Sequence, residues 1–160
     1  MKRTKLRLTL CCILTALVLA FIWGNSAMPG EASGDLSGWV GEIFSLFLPF
    51  LTTETGLHLL RKAAHFSEFA ALGMSFGWLF AMVMAKKQWK YLLPLGCGAA
   101  AACVDECIQI FSPGRYSSSV DVCIDCSGVL TGCLILWLCI AILTKIKKKR
   151  AAQIDIVPLE

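Results

Sequence analysis

The chain has 160 residues, the length of one domain, but 57% of them are hydrophobic and only 16% charged. Its mean hydropathy is +0.70. Soluble domains carry about 25% charge, so a water-soluble fold is excluded. The net charge of +4 does not mark a nucleic-acid binder either, because the basic residues lie in short clusters between long apolar runs.

Crossing the hydrocarbon takes about 20 mostly apolar residues, and four windows qualify: roughly 6–23, 66–85, 92–111 and 122–144. Inside a bilayer the backbone must satisfy its own hydrogen bonds, and no alternating pattern of short strands indicates a barrel. The expected fold class is therefore all-α, an integral membrane four-helix bundle. The first window follows Lys2, Arg3, Lys5 and Arg7. It is read as an uncleaved anchor, since the bulky Phe21-Ile22-Trp23 and Asn25 at −3 to Ala27 fit a signal-peptidase site poorly.

Residues 24–60 form the one long connection. It opens on a polar, turn-rich stretch from Asn25 to Glu31. Leu36, Trp39, Val40, Ile43, Phe44, Phe47 and Leu48 then recur at spacings of three and four until Pro49. This predicts a short amphipathic helix, lying at the interface with Trp39 at headgroup level or packed as a lid on the bundle. Lys86, Lys87 and Lys90 separate the second and third windows, and Lys145, Lys147, Lys148, Lys149 and Arg150 follow the fourth. With the N-terminal four, 12 of the 15 basic residues fall on one side of a chain that weaves back and forth. That side is expected to be cytoplasmic, with both termini. Residues 1–150 are read as one transmembrane domain and 151–160 as a cytoplasmic tail.

All nine cysteines lie in the apolar windows, where a thiol is a small buryable side chain. Cys123-x-x-Cys126 lacks a second pair at metal spacing. With no HExxH and no paired histidines, no metal site and no cofactor is expected.

Ionisable residues in membrane segments are costly and usually face a bundle interior or a cavity. Here they are concentrated. Arg61, His65 and Glu68 follow i, i+4, i+7, a face continued by Leu72 and Ser75. Asp105 and Gln109 are four apart, with Ser112 on the same stripe and Glu106 a quarter-turn away. Asp121 and Asp125 are four apart, and Gly128 and Gly132 extend their face. At about 1.5 Å rise per residue, the carboxylates of the three helices share one layer in the outer half of the bilayer. An outward-opening polar cavity is expected, with Arg61, His65, Glu68, Asp105, Glu106, Gln109, Arg115, Asp121 and Asp125 as the candidate site and Lys62 as a further counter-charge. Structural readings stand beside the functional one: Ser118-x-x-Asp121 as a capping box, Arg115 as a headgroup contact, and the glycines as close helix contacts.

The run from Arg61 to Gly73, RKAAHFSEFAALG, resembles the first signature of the VanZ-like family. The run from Asp105 to Arg115, DECIQIFSPGR, resembles the second, continued by Ser118 to Asp125 and Gly128. Asn25-Ser26 and Glu31-Ala32-Ser33 are similar to the family's first outer loop, and Phe69 stands where tyrosine is common. The resemblance implies a bacterial cytoplasmic-membrane protein. It also implies a phenotype class, low-level resistance to teicoplanin, a lipoglycopeptide antibiotic that acts at the outer membrane face.

Three functions are compatible with these residues. One is an envelope protein whose cavity binds a lipid-linked component or lowers teicoplanin action. Another is an intramembrane enzyme with His65, Glu68, Asp105 and Glu106 as acid–base groups. The third is an ion-coupled transporter, which four helices could form only as an oligomer and which the apolar inner half disfavours. The expected partners are membrane lipids and a lipid-linked cell-wall precursor or glycopeptide, with no nucleic acid.

Overall fold

The structure, a computed structural model, describes residues 2–45 and 48–154. Among these residues all regular structure is helical. Lys2–Ala27 forms α1, Gly30–Phe44 α2, Glu54–Val83 α3, Lys87–Ile110 α4 and Ser119–Ile154 α5, with a 3-10 turn at Pro49–Thr52. Four stretches are long and apolar enough to cross a membrane: Thr4–Ala27, Glu54–Val83, Lys87–Ile110 and Ser119–Ala151. The chain is a multi-pass membrane protein. On α1 the residues Leu6, Leu10, Ile13, Leu14, Leu17 and Phe21 are each more than half exposed. A contiguous apolar face of that size is untenable in water and is what lipid covers.

Each helix outruns its hydropathy window, because an apolar window counts only the residues in hydrocarbon. The largest difference is in α3, which begins at Glu54 rather than near residue 66. Thr53 caps it, its hydroxyl accepting from Gly56 N–H at 3.1 Å, and the polar first turns hid this start from a hydropathy count. At the other extreme α5 continues to Ile154, so residues 151–154 of the expected tail prolong the helix; residues 155–160 lie outside the described residues. The turn-rich reading of 25–31 is also corrected. Helix α1 runs to Ala27 and α2 starts at Gly30, leaving only Met28 and Pro29 between them.

The core is built from Ile22 of α1, Phe69, Leu72 and Phe76 of α3, Ala101 and Ala102 of α4, and Val129 and Cys133 of α5. The tightest packing is between α3 and α5, which run parallel. A Cβ on Gly132 would meet the carbonyl of Ala70, one on Gly128 the carbonyl of Phe66, and one on Gly73 the carbonyl of Val129. Lipid supplies no hydrophobic drive for helix association, so close backbone approach through small residues does this work. Val129 also fills the space beside Gly98 of α4 and so wedges three helices together.

Helix α2 packs on the bundle, as one of the two expectations for it had it. One side packs on the 3-10 turn and α3, with Gly41 against Leu51 and Gly34 beside the Arg61 guanidinium. The other side leaves Leu36, Trp39 and Ile43 exposed, the face suited to an interface. The Phe44 side chain and Phe47 lie outside the described residues.

Replacing Gly132 with valine should therefore destabilise the bundle by about 1–3 kcal/mol, the usual range for overpacking. Gly96→Ala, where an added Cβ meets nothing within 4 Å, should be close to neutral. Thermal melting followed by gel filtration in detergent reads the contrast.

Candidate functional site

At the end of the bundle away from the termini, a cavity of about 370 Å³ opens between α3, α4, α5 and the loop 111–118. Helix α3 contributes His58, Arg61, Lys62 and His65, spaced three, one and three apart and so on one face. Helix α4 contributes Glu106 and Gln109, and α5 contributes Asp121, Ile124 and Asp125. Seven of the nine candidate residues line this space; Glu68 and Asp105 stand behind it.

The loop owes its shape to Ser112-Pro113-Gly114-Arg115. Arg115 N–H donates to the Ser112 carbonyl at 3.2 Å, and Gly114 has φ +72°. Proline then glycine at the centre is the type II turn preference, which needs positive φ at its third residue. Pro113 turns its carbonyl to accept from Gly30 N–H at 2.9 Å. A Cβ on Gly30 would collide with the Gly114 carbonyl, so both glycines are needed where the loop meets the α1–α2 corner. The turn aims Arg115 inward, where Nη2 donates to the Asn25 carbonyl at 3.0 Å. Arg115 is thus a cavity residue. Burial, then the neighbouring Arg61 guanidinium, lower its pKa below the ordinary arginine value, yet an arginine stays charged.

Behind the cavity, a buried polar layer ties α1 to the others. Asp105 is fully buried, and its Oδ2 accepts from Ser26 Oγ at 2.8 Å and Gln109 Nε2 at 2.9 Å. Glu68 Oε1 accepts from Asn25 Nδ2 at 2.9 Å. Ser112 Oγ donates to the Ser26 carbonyl at 2.8 Å.

The start of α5 departs from a capping box. Ser118 does cap the helix, its hydroxyl accepting from Val120 N–H at 3.2 Å. In a capping box the acid three residues on would accept from the Ser118 N–H. Here Glu106 of α4 takes that N–H at 2.8 Å, and Asp121 pairs with Lys62 at 2.8 Å. The motif has been opened to join three helices.

Several polar atoms remain buried without a partner: Arg61 Nε, His65 Nδ1, Glu68 Oε2, Asp105 Oδ1, Glu106 Oε1, Arg115 Nε and both oxygens of Asp125. Native interiors leave few such groups, and here they gather around one cavity. The cysteines form no disulfide; all nine are free.

Four contributors escaped the reading of residue types. His58 lies one turn before Arg61, and extending the i, i+3, i+4 spacing backward would have found it. Asn25 and Ser26, at the end of an apolar window, carried the family resemblance but no chemistry of their own. Tyr116 had no signal beyond its place in a polar loop.

The buried and exposed polar contacts should differ in weight. Ser26→Ala should cost about 1–2 kcal/mol, because it strips a donor from a buried carboxyl. Lys62→Gln should cost less than about 1 kcal/mol, because the Lys62–Asp121 pair is close to 30% exposed on each side and such pairs are weak. Melting temperatures of the two variants in one detergent provide the comparison.

No curated protein and no solved structure matches the chain. A family model described as VanZ/LLP1 matches residues 11–141, a span that takes in α1 from Cys11 onward, the cavity and the α3–α5 interface, and the chain belongs to that family.

Proposed function

We propose that this membrane protein binds, in its cavity, the anionic headgroup of a membrane-anchored molecule at the outer face of the bacterial cytoplasmic membrane. The observation that carries the reading is the pair of guanidiniums. Arg61 and Arg115 both line the cavity, and among the described residues neither forms an ion pair, the two such contacts being Lys62–Asp121 and His65–Asp105. Guanidinium is the side chain best matched to phosphate or carboxylate, which it binds through paired N–H donors. The basic clusters support this sidedness: they lie at the end of the bundle that holds the termini, the bias expected of cytoplasmic segments, and the cavity is at the opposite end. The exposed face of α2 would lie in the outer leaflet interface beside the opening. A lipid-linked cell-wall precursor is the headgroup class that connects such a site to lowered teicoplanin action.

A second reading has one specific support. His65 lines the cavity and its Nδ1 stands 4.0 Å from Oδ2 of Asp105 behind it, an arrangement an acid–base enzyme acting on the same headgroup would use. Accumulation of a modified headgroup only when the protein is present would favour it over binding alone.

Native mass spectrometry of the protein extracted in mild detergent should show a retained anionic lipid or lipid-linked precursor. Arg61→Gln should lower that retention at least about tenfold, the loss of roughly 1.4 kcal/mol, with membrane abundance near wild type. Retention of neutral lipid alone, or equal retention in the variant, would sink the proposal. Reporters fused after Glu160 or near Gln88 should behave as cytoplasmic and one after Ala32 as external; the reverse pattern would place the cavity on the wrong side.

A further inference from the structure

We infer that His65, Asp105 and Asp125 form a binding site for a divalent first-row transition cation. The three residues come from α3, α4 and α5. One ligand atom from each lies within 4.8 Å of the other two. Ions of this class hold nitrogen and oxygen ligands at about 2.0–2.2 Å, so three such ligands stand roughly 3–3.8 Å from one another. Closing the cluster on an ion thus takes shifts of up to roughly 1 Å at the ligand atoms, within the reach of side-chain rotation.

Proximity of acidic groups alone would carry nothing; the burial and the missing partners do. Asp125 is 1% exposed, lines the cavity, and has no hydrogen-bond partner on either oxygen. A buried carboxylate in that state is costly. Asp105 is held by Ser26 and Gln109 through Oδ2, while its Oδ1 has no partner. A metal-ligating carboxylate is usually oriented in this way by hydrogen bonds of its own. His65 Nδ1 is likewise buried and unpartnered. One cation would satisfy all three residues.

The donor set selects the ion. Mg²⁺ and Ca²⁺ prefer all-oxygen sites, whereas one imidazole with two carboxylates suits ions of the Mn²⁺ to Zn²⁺ series. Three protein ligands also leave coordination positions open on the cavity side, where water or an anionic oxygen can bind. No linear motif announces the site, because each ligand sits on a different helix.

The inference is separable from headgroup binding, since it concerns the protein's own ligands and is read without any lipid. Nine cysteines would bind Zn²⁺ adventitiously, so Mn²⁺ and Co²⁺ are the probes. Protein purified in detergent and stripped with chelator should take up one Mn²⁺ or Co²⁺ per chain, measured by elemental analysis. Bound Co²⁺ should show no thiolate charge-transfer absorption. Asp125→Asn and His65→Gln should each weaken uptake at least about tenfold, because even the loss of an orienting partner costs that much. Metal should raise the melting temperature of the wild type only. Metal-free Asp125→Asn should melt no lower than metal-free wild type, which separates a ligand from a structural carboxylate and shows that the variant folds. Arg61→Gln, which removes a positive charge near the site, should not weaken metal uptake. Failure of well-folded wild type to bind either ion, equal binding by both ligand variants, or a thiolate band would overturn the assignment.

Discussion

The rest of the structure depends on the backbone contact between α3 and α5. Gly128 and Gly132 bring α5 against the carbonyls of Phe66 and Ala70, and Gly73 returns the contact beneath Val129. With side chains removed from the seam, the axes approach closely enough for short groups above it to meet. Asp125 sits one turn before Gly128, and His65 one residue before Phe66. The register of the glycine seam therefore sets the register of the polar cluster. In lipid, where apolar faces gain nothing by leaving their surroundings, such a seam is the main way to fix two helices relative to each other.

A second constraint works from the opposite side of the bundle. Ser26 donates to Asp105, Asn25 to Glu68, and Ser112 to the Ser26 carbonyl, so the last turn of α1 is locked to α3 and α4 wholly by polar contacts. Arg115 adds to the same corner through the Asn25 carbonyl. The Pro-Gly turn, the α1–α2 corner and the buried Asp105 are thus one assembly. The two guanidiniums face the cavity without carboxylate partners, while several nearby acids take other contacts: Asp121 with Lys62, Glu106 with the Ser118 N–H, and Glu68 with Asn25.

Much of this was legible in the sequence, because membrane helices declare themselves through length and hydropathy, and the i, i+4 spacing of polar residues marks which faces converge. On those grounds Arg61, His65, Gln109 and Asp125 were expected on converging faces, and all four line the cavity. The helix ends were less legible: charged residues such as Glu54 and the lysines after Thr144 lower hydropathy without ending a helix. The opened capping box was hidden because Ser118-x-x-Asp121 is locally complete, and only the arrival of Glu106 from α4 shows that its second half is unused. Spacing put His65, Asp105 and Asp125 in one layer, but the approach of one ligand atom from each to within 4.8 Å of the others exists only once three helices are docked.

The distribution of polarity along the bundle constrains what such a cavity can do. Below the layer of Asp105 and Asp125, the buried polar groups among the described residues are Thr15 and Ser75. Each hydroxyl is satisfied within its own helix, Thr15 by the Cys11 carbonyl at 2.9 Å and Ser75 by that of Leu72 at 2.9 Å. Between them lie Phe69, Leu72, Phe76, Val129 and Cys133, closely packed. A charged group entering from the cavity meets apolar core, with no buried acidic or basic residue among the described ones to receive it deeper in the bundle. Moving a charge through that region would incur the desolvation penalty that intramembrane ionisable groups exist to offset. A dead-ended polar cavity suits holding a headgroup whose tails stay in the surrounding lipid. It does not suit conduction, and this asymmetry weighs against a transporter built from a single copy of the chain.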